Sequence, residues 1–336
     1  MYAAIRPFLF RLSAETAHDL TLDGLGALHR LHLSSLFAER VPDHPVEVFG
    51  LTFRNQVGLA AGLDKNADYL NALGSLGFGH IEVGTVTPRP QPGNPAPRMF
   101  RLPESQAIIN RMGFNNKGVD HLVSNLERRT YEGVVGVNIG KNFSTPVEQA
   151  IDDYRYCLQA VYDQADYITI NLSSPNTPGL RSLQFGEPLQ KLLTTLVAER
   201  DRKADKTGRR VPLLVKIAPD MTDDEINQIA ATFRQCEVDG AIATNTTVER
   251  SLVEGQEHAS ETGGLSGAPV FSTSTHTLST LVAALDDTMP VIGVGGIADG
   301  ETAQLKKRAG ASLVQLYSGL IYRGPSLIRE VQLAIW

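Results

Sequence analysis

The sequence lacks a continuous apolar stretch of the roughly 20 residues that a membrane-spanning helix requires. In its first forty residues, Arg6, Pro7, Arg11 and Glu15 interrupt every apolar run. A secretory signal peptide also needs an uninterrupted apolar segment. The sequence therefore predicts neither a signal peptide nor a helix that crosses a bilayer.

Cysteine is nearly absent, since Cys157 and Cys236 are the only two in 336 residues and neither belongs to a Cys-x-x-Cys pair. No disulfide framework and no thiolate zinc site is predicted, and a reducing compartment is indicated. His29 and His32 form the one histidine pair at helical spacing, and they lack a nearby carboxylate or thiol. No metal site is predicted.

Basic residues are in deficit, with 31 lysines and arginines against 37 aspartates and glutamates and a net charge of −6. This balance argues against a nucleic-acid partner, because binding to a phosphate backbone requires many neutralising cations. Hydrophobic residues make up 42% of the chain and charged residues 20%, which is typical of a soluble globular protein.

Residues 1–40 are predicted to form two amphipathic helices. In the first, apolar side chains recur at helical spacing at Tyr2, Ile5, Phe8, Leu9 and Leu12. Ser13 is a candidate N-cap for a second helix, whose apolar positions are Ala17, Leu20, Leu25, Leu28 and Leu31. Such helices can insert their apolar faces into a membrane interface or pack against the main domain, and composition alone leaves both open.

From residue 46 onward, strand patterns alternate with helix patterns. A hairpin over residues 46–53 is expected to close one end of this domain. Eight strands are predicted after it, over residues 56–62, 80–87, 133–140, 167–172, 212–218, 240–244, 290–295 and 312–317. Helices are predicted between them, for example over residues 67–76, 146–162, 185–200, 223–235 and 302–309. Residues 46–336 are therefore predicted to form one α/β domain, a (β/α)8 TIM barrel that follows the two-helix extension.

The predicted carboxyl ends of the strands share one chemistry, because each ends in lysine, amide, hydroxyl or glycine residues. These ends form the ligand-binding rim of such a barrel, so an anionic ligand with many hydrogen-bonding edges is predicted there. Lys216 stands among apolar strand residues, and a buried amine needs an opposite charge or a strong acceptor. Its partner is either that ligand or a structural salt bridge.

Two glycine-rich turns follow the last two strands, at residues 293–296 and 317–319. That is the usual position of a phosphate in this barrel, held by backbone N–H groups. Residues 293–298 also fit the G-x-G-x-x-A dinucleotide fingerprint. Only one predicted strand follows them, however, so they cannot begin a dinucleotide-binding half, and the phosphate site is the prediction.

Six segments carry long motifs in a fixed order. They are Gly62-Leu63-Asp64-Lys65, residues 84–94, Asn110-Arg111-Met112-Gly113-Phe114-Asn115, residues 171–181, Ala243-Thr244-Asn245-Thr246 and Gly263-Gly264-Leu265-Ser266-Gly267. Together they resemble the dihydroorotate dehydrogenase family, and more narrowly its quinone-dependent, membrane-associated class 2. The resemblance implies an FMN enzyme of pyrimidine biosynthesis that oxidises (S)-dihydroorotate to orotate and passes the electrons to ubiquinone or another membrane quinone.

The resemblance also implies roles for single residues. Positions that match FMN contacts are Ala61, Gly62, Lys65, Thr85, Asn138, Asn171, Lys216, Thr244, Gly267, Gly296, Tyr317 and Ser318. Positions that match substrate contacts are Lys65, Asn110, Arg111, Met112, Gly113, Phe114, Asn171, Asn176, Asn245 and Thr246. Ser174 matches the catalytic base, and serine instead of cysteine marks class 2. The quinone approach is matched by His18, Arg101 and Tyr317, with the helices of residues 1–40 at its mouth.

The segment 171–181 is the most informative of these motifs. Its asparagines, with those at 110 and 245, can pair with the N–H and C=O groups of a pyrimidine while a cation takes its carboxylate. Ser174 lies beyond the strand, either as a base over the barrel mouth or as a hydroxyl that caps the next helix. Pro175, Pro178 and Gly179 bracket a loop that is predicted to close over the substrate. Arg181 either holds this loop closed or faces solvent.

Two alternatives fit parts of the sequence. Another FMN barrel, either a soluble class 1 enzyme using fumarate or NAD or a flavin reductase acting on uridine in RNA, would lack the helix pair and use a cysteine base. A non-catalytic ligand-binding barrel attached to a membrane is the alternative outside enzymes. No arginine- and serine-rich presequence stands at the start of the chain, so the expected location is peripheral, on the cytoplasmic side of a bacterial inner membrane.

Overall fold

The computed structural model describes residues 2–34, 38–286 and 288–336. The strands are β1 (Val46–Val48), β2 (Leu51–Phe53), β3 (Val57–Leu59), β4 (His80–Val86), β5 (Met99–Leu102), β6 (Ala107–Asn110), β7 (Val134–Ile139), β8 (Tyr167–Asn171), β9 (Leu213–Ile217), β10 (Gly240–Ala243), β11 (Gly264–Gly267), β12 (Val291–Val294) and β13 (Leu313–Leu316). The helices are α1 (Tyr2–Leu9), α2 (Ala14–Arg30), α3 (Leu70–Gly74), α4 (Val119–Leu126), α5 (Ala150–Val161), α6 (Gly186–Thr207), α7 (Asp223–Gln235), α8 (Phe271–Leu285), α9 (Gly300–Arg308), α10 (Ser318–Arg323) and α11 (Ser326–Ala334).

Eight parallel strands close into a barrel in the order β3, β4, β7, β8, β9, β10, β12 and β13, and β13 pairs with β3. The predicted (β/α)8 barrel with a two-helix extension is confirmed. Each of these eight barrel strands lies inside a predicted strand and is shorter than it by one to four residues. Every residue of these eight strands is buried, because the helices cover the outside of the barrel and side chains fill its interior.

The amino end of the barrel is closed by the β1–β2 hairpin, as the sequence predicts. Its aromatic side chains, Phe49 and Phe53, pack with the first residues of the barrel strands, including Tyr167 and Leu214. The fit is tight, because a Cβ on Gly240 would lie 2.3 Å from the Phe49 ring. With this end filled, the ligand-binding space of the barrel lies at its carboxyl end.

A second sheet lies over that carboxyl end, and the sequence patterns did not predict it. Strands β5, β6 and β11 pair antiparallel in the order β11, β6, β5. In this sheet Asn110 pairs with both Met99 and Gly264, which brings two of the motif segments together. The sequence patterns contain no strand between residues 88 and 132, where β5 and β6 lie.

Helices α1 and α2 form at the predicted positions, and Ser13 caps α2 by accepting the backbone N–H of Thr16 at 3.2 Å. The pair is held to the barrel by a salt bridge of 2.6 Å from Glu15 to Arg98 and by the Tyr2 hydroxyl, which donates to the carbonyl of Ile321 at 2.5 Å. Within the described ranges, no helix has both the length and the apolar character needed to cross a membrane.

Candidate functional site

A polar cavity opens at the carboxyl ends of the barrel strands, between them and the sheet of β5, β6 and β11. It is lined by almost all of the predicted cofactor and substrate residues, which the structure brings together from the ends of seven barrel strands and from the second sheet with the loop after β6. The predicted residues in its wall are Ala61, Gly62, Lys65, Thr85, Asn110, Met112, Gly113, Phe114, Asn171, Ser174, Asn176, Lys216, Thr244, Asn245, Thr246, Gly267, Gly296, Tyr317 and Ser318.

Two predicted residues lie outside the wall of this cavity. Asn138 is fully buried one layer below it and contacts the wall through Thr85 and Asn171. The side chain of Arg111 turns away, since its guanidinium forms a 2.6 Å salt bridge with Glu261 and donates to the carbonyl of Pro97. A direct contact of the Arg111 side chain with a ligand in the cavity is therefore not supported.

The floor of the cavity is a buried hydrogen-bond network. Asn171 donates from Nδ2 to Thr85 Oγ1 at 2.9 Å and to Asn138 Oδ1 at 3.1 Å. Asn138 in turn donates to the Glu82 carboxylate at 2.8 Å. Because each member is held by its neighbours, the polar edges of Thr85 and Asn171 stand in fixed positions at the cavity floor.

The loop after β8 carries Ser174 into the cavity wall. Its Oγ accepts the backbone N–H of Asn176 at 3.2 Å, and the side chain is 5% exposed. The next helix, α6, has no side-chain cap, so the alternative of Ser174 as a helix cap is not supported. Among the described residues the Ser174 hydroxyl donates to no acceptor, which leaves it available to a ligand.

Arg181 holds this loop against its neighbours rather than facing solvent. Its guanidinium donates to the carbonyl of Ser173 at 3.1 Å, to the Asp220 carboxylate at 2.8 Å and to the carbonyl of Thr246 at 3.0 Å. These three partners belong to the loops after β8, β9 and β10. The side chain thus joins the loops after β8 and β10, which carry cavity residues, to the loop after β9.

Two lysines bring positive charge to the cavity. Lys216 is 6% exposed and forms no salt bridge within the described part of the chain, so the structural salt bridge considered for it is absent there. Burial lowers the pKa of Lys216. Burial, and then the charge of Arg98, lowers the pKa of Lys65 to about 8. Both amines therefore favour an anionic ligand, which would offset the cost of burying them.

The turn after β12 is shaped to receive an anion. Gly295 and Gly296 have φ values of +107° and +76°, and a Cβ on Gly296 would lie 2.4 Å from Phe271 Cβ. Their two N–H groups form no hydrogen bond with the residues that the structure describes. Opposite the turn, Ser266 and Ser318 face each other with 2.8 Å between their hydroxyls. The two unpaired N–H groups of the turn fit a phosphate.

The sequence patterns missed two residues of this site. Gln315 lines the cavity, and its Oε1 is buried with no partner among the described residues while its Nε2 donates to Glu82 at 3.0 Å. Glu82 lies at the centre of the floor network and also accepts from the Tyr167 hydroxyl at 3.1 Å. The sequence signal that could have indicated both residues is a polar side chain inside an otherwise apolar barrel strand. The unpaired acceptor of Gln315 and the amine of Lys216 fit a ring with both donor and acceptor edges.

A second cavity, of about 380 Å³, lies between the barrel and the helices α1 and α2. Its wall is mainly apolar, with leucines from α2, α3 and α10. The three residues predicted for the quinone approach, His18, Arg101 and Tyr317, all lie in this wall. The structure thus joins residues that are far apart in the sequence.

Two polar side chains of this apolar cavity, His18 and Arg101, differ in charge. Burial, and then the nearby charge of Lys65, lowers the pKa of His18 to about 4, so its imidazole is neutral at neutral pH. Arg101 donates to the carbonyls of Leu9 and Leu12 at the end of α1, and its guanidinium lies 4.6 Å from the centre of the Phe10 ring. These contacts position Arg101 at the junction of the two helices.

Tyr317 is the one described residue that lines both cavities. Its ring packs against Gly62, where an added Cβ would lie 3.3 Å from the ring and where a φ of +111° favours glycine. Burial raises the pKa of Tyr317 to about 12, and the phenol is neutral. No cluster of three or more His, Cys, Asp or Glu side chains suited to a metal ion occurs in residues 2–34, 38–286 and 288–336.

Comparison with known proteins identifies the family. Residues 45–335 match the family model described as dihydroorotate dehydrogenase. The chain is 61% identical to dihydroorotate dehydrogenase (quinone) of Cellvibrio japonicus, over 98% of this chain and 96% of that protein. It is 58% identical to the protein of the same name from Saccharophagus degradans, over 100% and 99% of the two chains.

The fold comparison agrees. The crystal structure of DHODH from Eimeria tenella in complex with ferulenol superimposes with a TM-score of 0.87 and 40% identity, over 98% of this chain and 93% of that one. The resemblance carried by the six motifs is therefore confirmed over nearly the whole chain. This protein belongs to the dihydroorotate dehydrogenase family.

Proposed function

We propose that this protein oxidises (S)-dihydroorotate to orotate in pyrimidine biosynthesis, with FMN as its cofactor and a membrane quinone as electron acceptor. One observation carries the proposal: a polar cavity suited to flat anions and an apolar cavity under α1 and α2 meet at Tyr317. The curated relatives are named for an acid substrate and a quinone in the same way.

The substrate would lie against the amide side chains of the polar cavity. Asn176 donates to the backbone carbonyl of Asn110 at 3.1 Å, and Asn245 donates to Ser173 Oγ at 3.0 Å, so both amides are oriented before a ligand binds. Together with Asn171 they offer donors and acceptors to a pyrimidine ring, while Lys65 faces its carboxylate. Preorganised amides of this kind favour a planar diamide over a sugar.

Ser174 would remove the proton from the ring carbon beside the carbonyl group. A serine hydroxyl is a weak base, so its own proton must pass to water or to the bound anion as the substrate proton arrives. Arg181 would keep the serine in place by holding the neighbouring carbonyl of Ser173. Closure of this loop would also exclude water.

FMN, when bound, supplies the hydride acceptor and passes the electrons to the quinone. The residues present would hold its phosphate at the N–H groups of Gly296 and Ser318. Thr85 and Asn171 would hold its ring, and Lys216 would stabilise negative charge on it. Residues 46–336 would thus form the FMN-binding barrel, and residues 1–40 the segment that binds the membrane and admits the quinone.

The decisive experiment uses the purified protein under anaerobic conditions. We expect flavin absorbance at about 450 nm, bleaching by dihydroorotate, and recovery on adding a short-chain quinone but not fumarate or NAD. Recovery with fumarate or NAD would favour a class 1 reaction. A protein that binds dihydroorotate but holds no flavin would support the non-catalytic barrel.

Membrane binding needs a separate test, and the proposed location is the cytoplasmic face of a bacterial inner membrane. Phe8 and Leu20 are 66% and 55% exposed on α1 and α2. We expect Phe8→Glu with Leu20→Glu to abolish sedimentation with anionic liposomes while dihydroorotate still bleaches the flavin. Tyr156→Glu, at a 51% exposed aromatic residue on α5, is the matched control. Equal loss in the control would reject the helices as the membrane contact.

A further inference from the structure

A buried lysine lies behind the Gly295-Gly296 turn, outside both cavities. Lys306 on α9 is 0% exposed, and its ammonium lies 5.4 Å from the centre of the Phe271 ring. In the described part of the chain it forms no salt bridge, and its one hydrogen bond, of 2.6 Å, goes to Ser274 Oγ. Burial lowers the pKa of Lys306 to about 7. An unpaired amine at this depth is costly unless an anion is close by.

Ser274 connects this ammonium to the turn. Its Oγ lies 3.1 Å from the carbonyl oxygens of both Phe271 and Gly295. The carbonyl of Phe271 already accepts from Thr275 Oγ1 at 2.6 Å, so the single proton of Ser274 is better used at Gly295. The result is a chain from the Lys306 ammonium to the Ser274 hydroxyl and on to the Gly295 carbonyl. Each donor in such a chain polarises the next.

The peptide between Gly295 and Gly296 carries this polarisation into the polar cavity. In a trans peptide the C=O and N–H bonds point in opposite directions. Because the Gly295 carbonyl is held on α8 by Ser274, the N–H of Gly296 points the other way, toward the cavity that both glycines line. A Cβ on Gly295 would lie 2.8 Å from Ser274 Oγ, so the absence of side chains permits this close approach.

We propose that Lys306 is a positioning residue for the phosphate of the cofactor, acting through Ser274 and the Gly295-Gly296 peptide. The inference rests on the proposed function, because it requires the phosphate to lie at this turn. The ammonium makes the Gly296 N–H a stronger donor, and the phosphate in turn offsets the cost of the buried charge. Lys306 thereby favours a phosphorylated flavin over the free vitamin.

Binding of FMN and of riboflavin to the full-length protein tests this role, because riboflavin has the same ring system and no phosphate. Flavin is removed by dialysis and each ligand is titrated back, with flavin fluorescence as the readout. We expect Lys306→Met to weaken FMN binding by about tenfold, since a charge-assisted hydrogen bond is lost, and to change riboflavin binding by less than about twofold. Ser274→Ala should act in the same direction.

Lys307→Met is the matched control, because Lys307 is the next residue on α9 and donates to the carbonyl of Ser312 at 2.9 Å instead of to the turn. It should leave the preference for FMN over riboflavin unchanged. Equal weakening of both ligands by Lys306→Met would mean a purely structural role and overturn the proposal, as would unchanged FMN binding. If Lys306→Met does not fold, Ser274→Ala decides by the same criteria. A wild-type protein that binds both flavins equally would instead reject the phosphate site itself.

Discussion

The two cavities that meet at Tyr317 are built on different principles. The polar cavity takes its wall from the ends of barrel strands, and hydrogen bonds through Asn171, Thr85 and Asn138 fix its floor. The apolar cavity takes its wall from the faces of helices and has few polar groups. Hydrogen bonds are directional and apolar contacts are not. The first cavity is therefore suited to one rigid substrate, and the second to a flexible lipid-soluble molecule.

The charges differ in the same way. Lys65 and Lys216 line the polar cavity with amines that favour anions, whereas His18 in the apolar cavity is neutral because burial and the charge of Lys65 both lower its pKa. Four substitutions test whether the two cavities can be disturbed separately.

The largest effect is expected from Ser174→Ala in the polar cavity. Loss of a general base typically slows a reaction by about 10² to 10⁴-fold, so reduction of the flavin by dihydroorotate should slow by that factor. Cofactor content and the reaction with quinone should be unchanged. Stopped-flow absorbance measures both steps, and Ser182→Ala, which removes an exposed hydroxyl from the same segment, is the control. Unchanged reduction would remove Ser174 from the mechanism.

A Phe at Gly24 should block the apolar cavity without touching the polar one. Gly24 lines that cavity, and a Cβ added there would meet no described atom within 4 Å. If the quinone binds here as proposed, the ring would occupy part of its space, and a steric conflict of about 1–3 kcal/mol would slow the reaction with quinone by about 10- to 100-fold. Reoxidation by quinone should slow, while bleaching by dihydroorotate is preserved. Gly24→Ala should leave both steps intact, and loss of bleaching in Gly24→Phe would contradict the separation.

Arg181→Met should loosen the polar cavity without removing any group that contacts the substrate. It deletes the bonds to Ser173, Asp220 and Thr246, so we expect flavin reduction to slow by about tenfold. Cleavage by protease within residues 174–181 should become faster and should no longer be slowed by orotate. Arg181→Lys, which keeps the charge, should restore part of the rate. Unaltered cleavage would show that Arg181 does not hold the loop.

The smallest effect is expected on the pH dependence of the free energy of unfolding, through the burial of His18 in the apolar cavity. Unfolded His18 binds a proton below its usual pKa of about 6.5, but folded His18 does so only near 4, so stability is lost as the pH falls through this window. After a discount for partial exposure, His18→Gln should reduce that loss by about 1 kcal/mol. Urea unfolding at about pH 4.5 and pH 7.5 measures it, with the exposed His276→Gln as control. An identical pH dependence in His18→Gln would contradict the lowered pKa.

Much of this comparison was predictable from sequence, because the polar cavity is built from strand ends. Strand periodicity placed Asn171 and Lys216 at the rim, and the motifs placed Ser174 beside them. Glu82 and Gln315 were missed, since a polar residue in a buried strand gives no indication of its partners until the barrel register is known. The direction of the Arg111 side chain was also not predictable, because its partner Glu261 lies 150 residues further along the chain.

The apolar cavity was predicted less completely. Helical spacing located α1 and α2, but it could not decide which of their apolar residues face the barrel and which face outward. That division depends on anchors such as the salt bridge from Glu15 on α2 to Arg98. Arg98 directly precedes β5, a strand that the sequence patterns do not predict. Sequence alone does not decide the role of Arg181 for the same reason, since its three partners lie on loops that only the closed barrel brings together.

The shared wall at Tyr317 has a consequence for the order of events in turnover. If the two reactants occupy separate cavities that meet at one side chain, neither has to leave before the other binds. The acid can then enter from water and the quinone from lipid. Only electrons would then have to pass from the polar cavity to the apolar cavity. The two reactants would then not compete for one site, and each could saturate its own cavity whatever the concentration of the other.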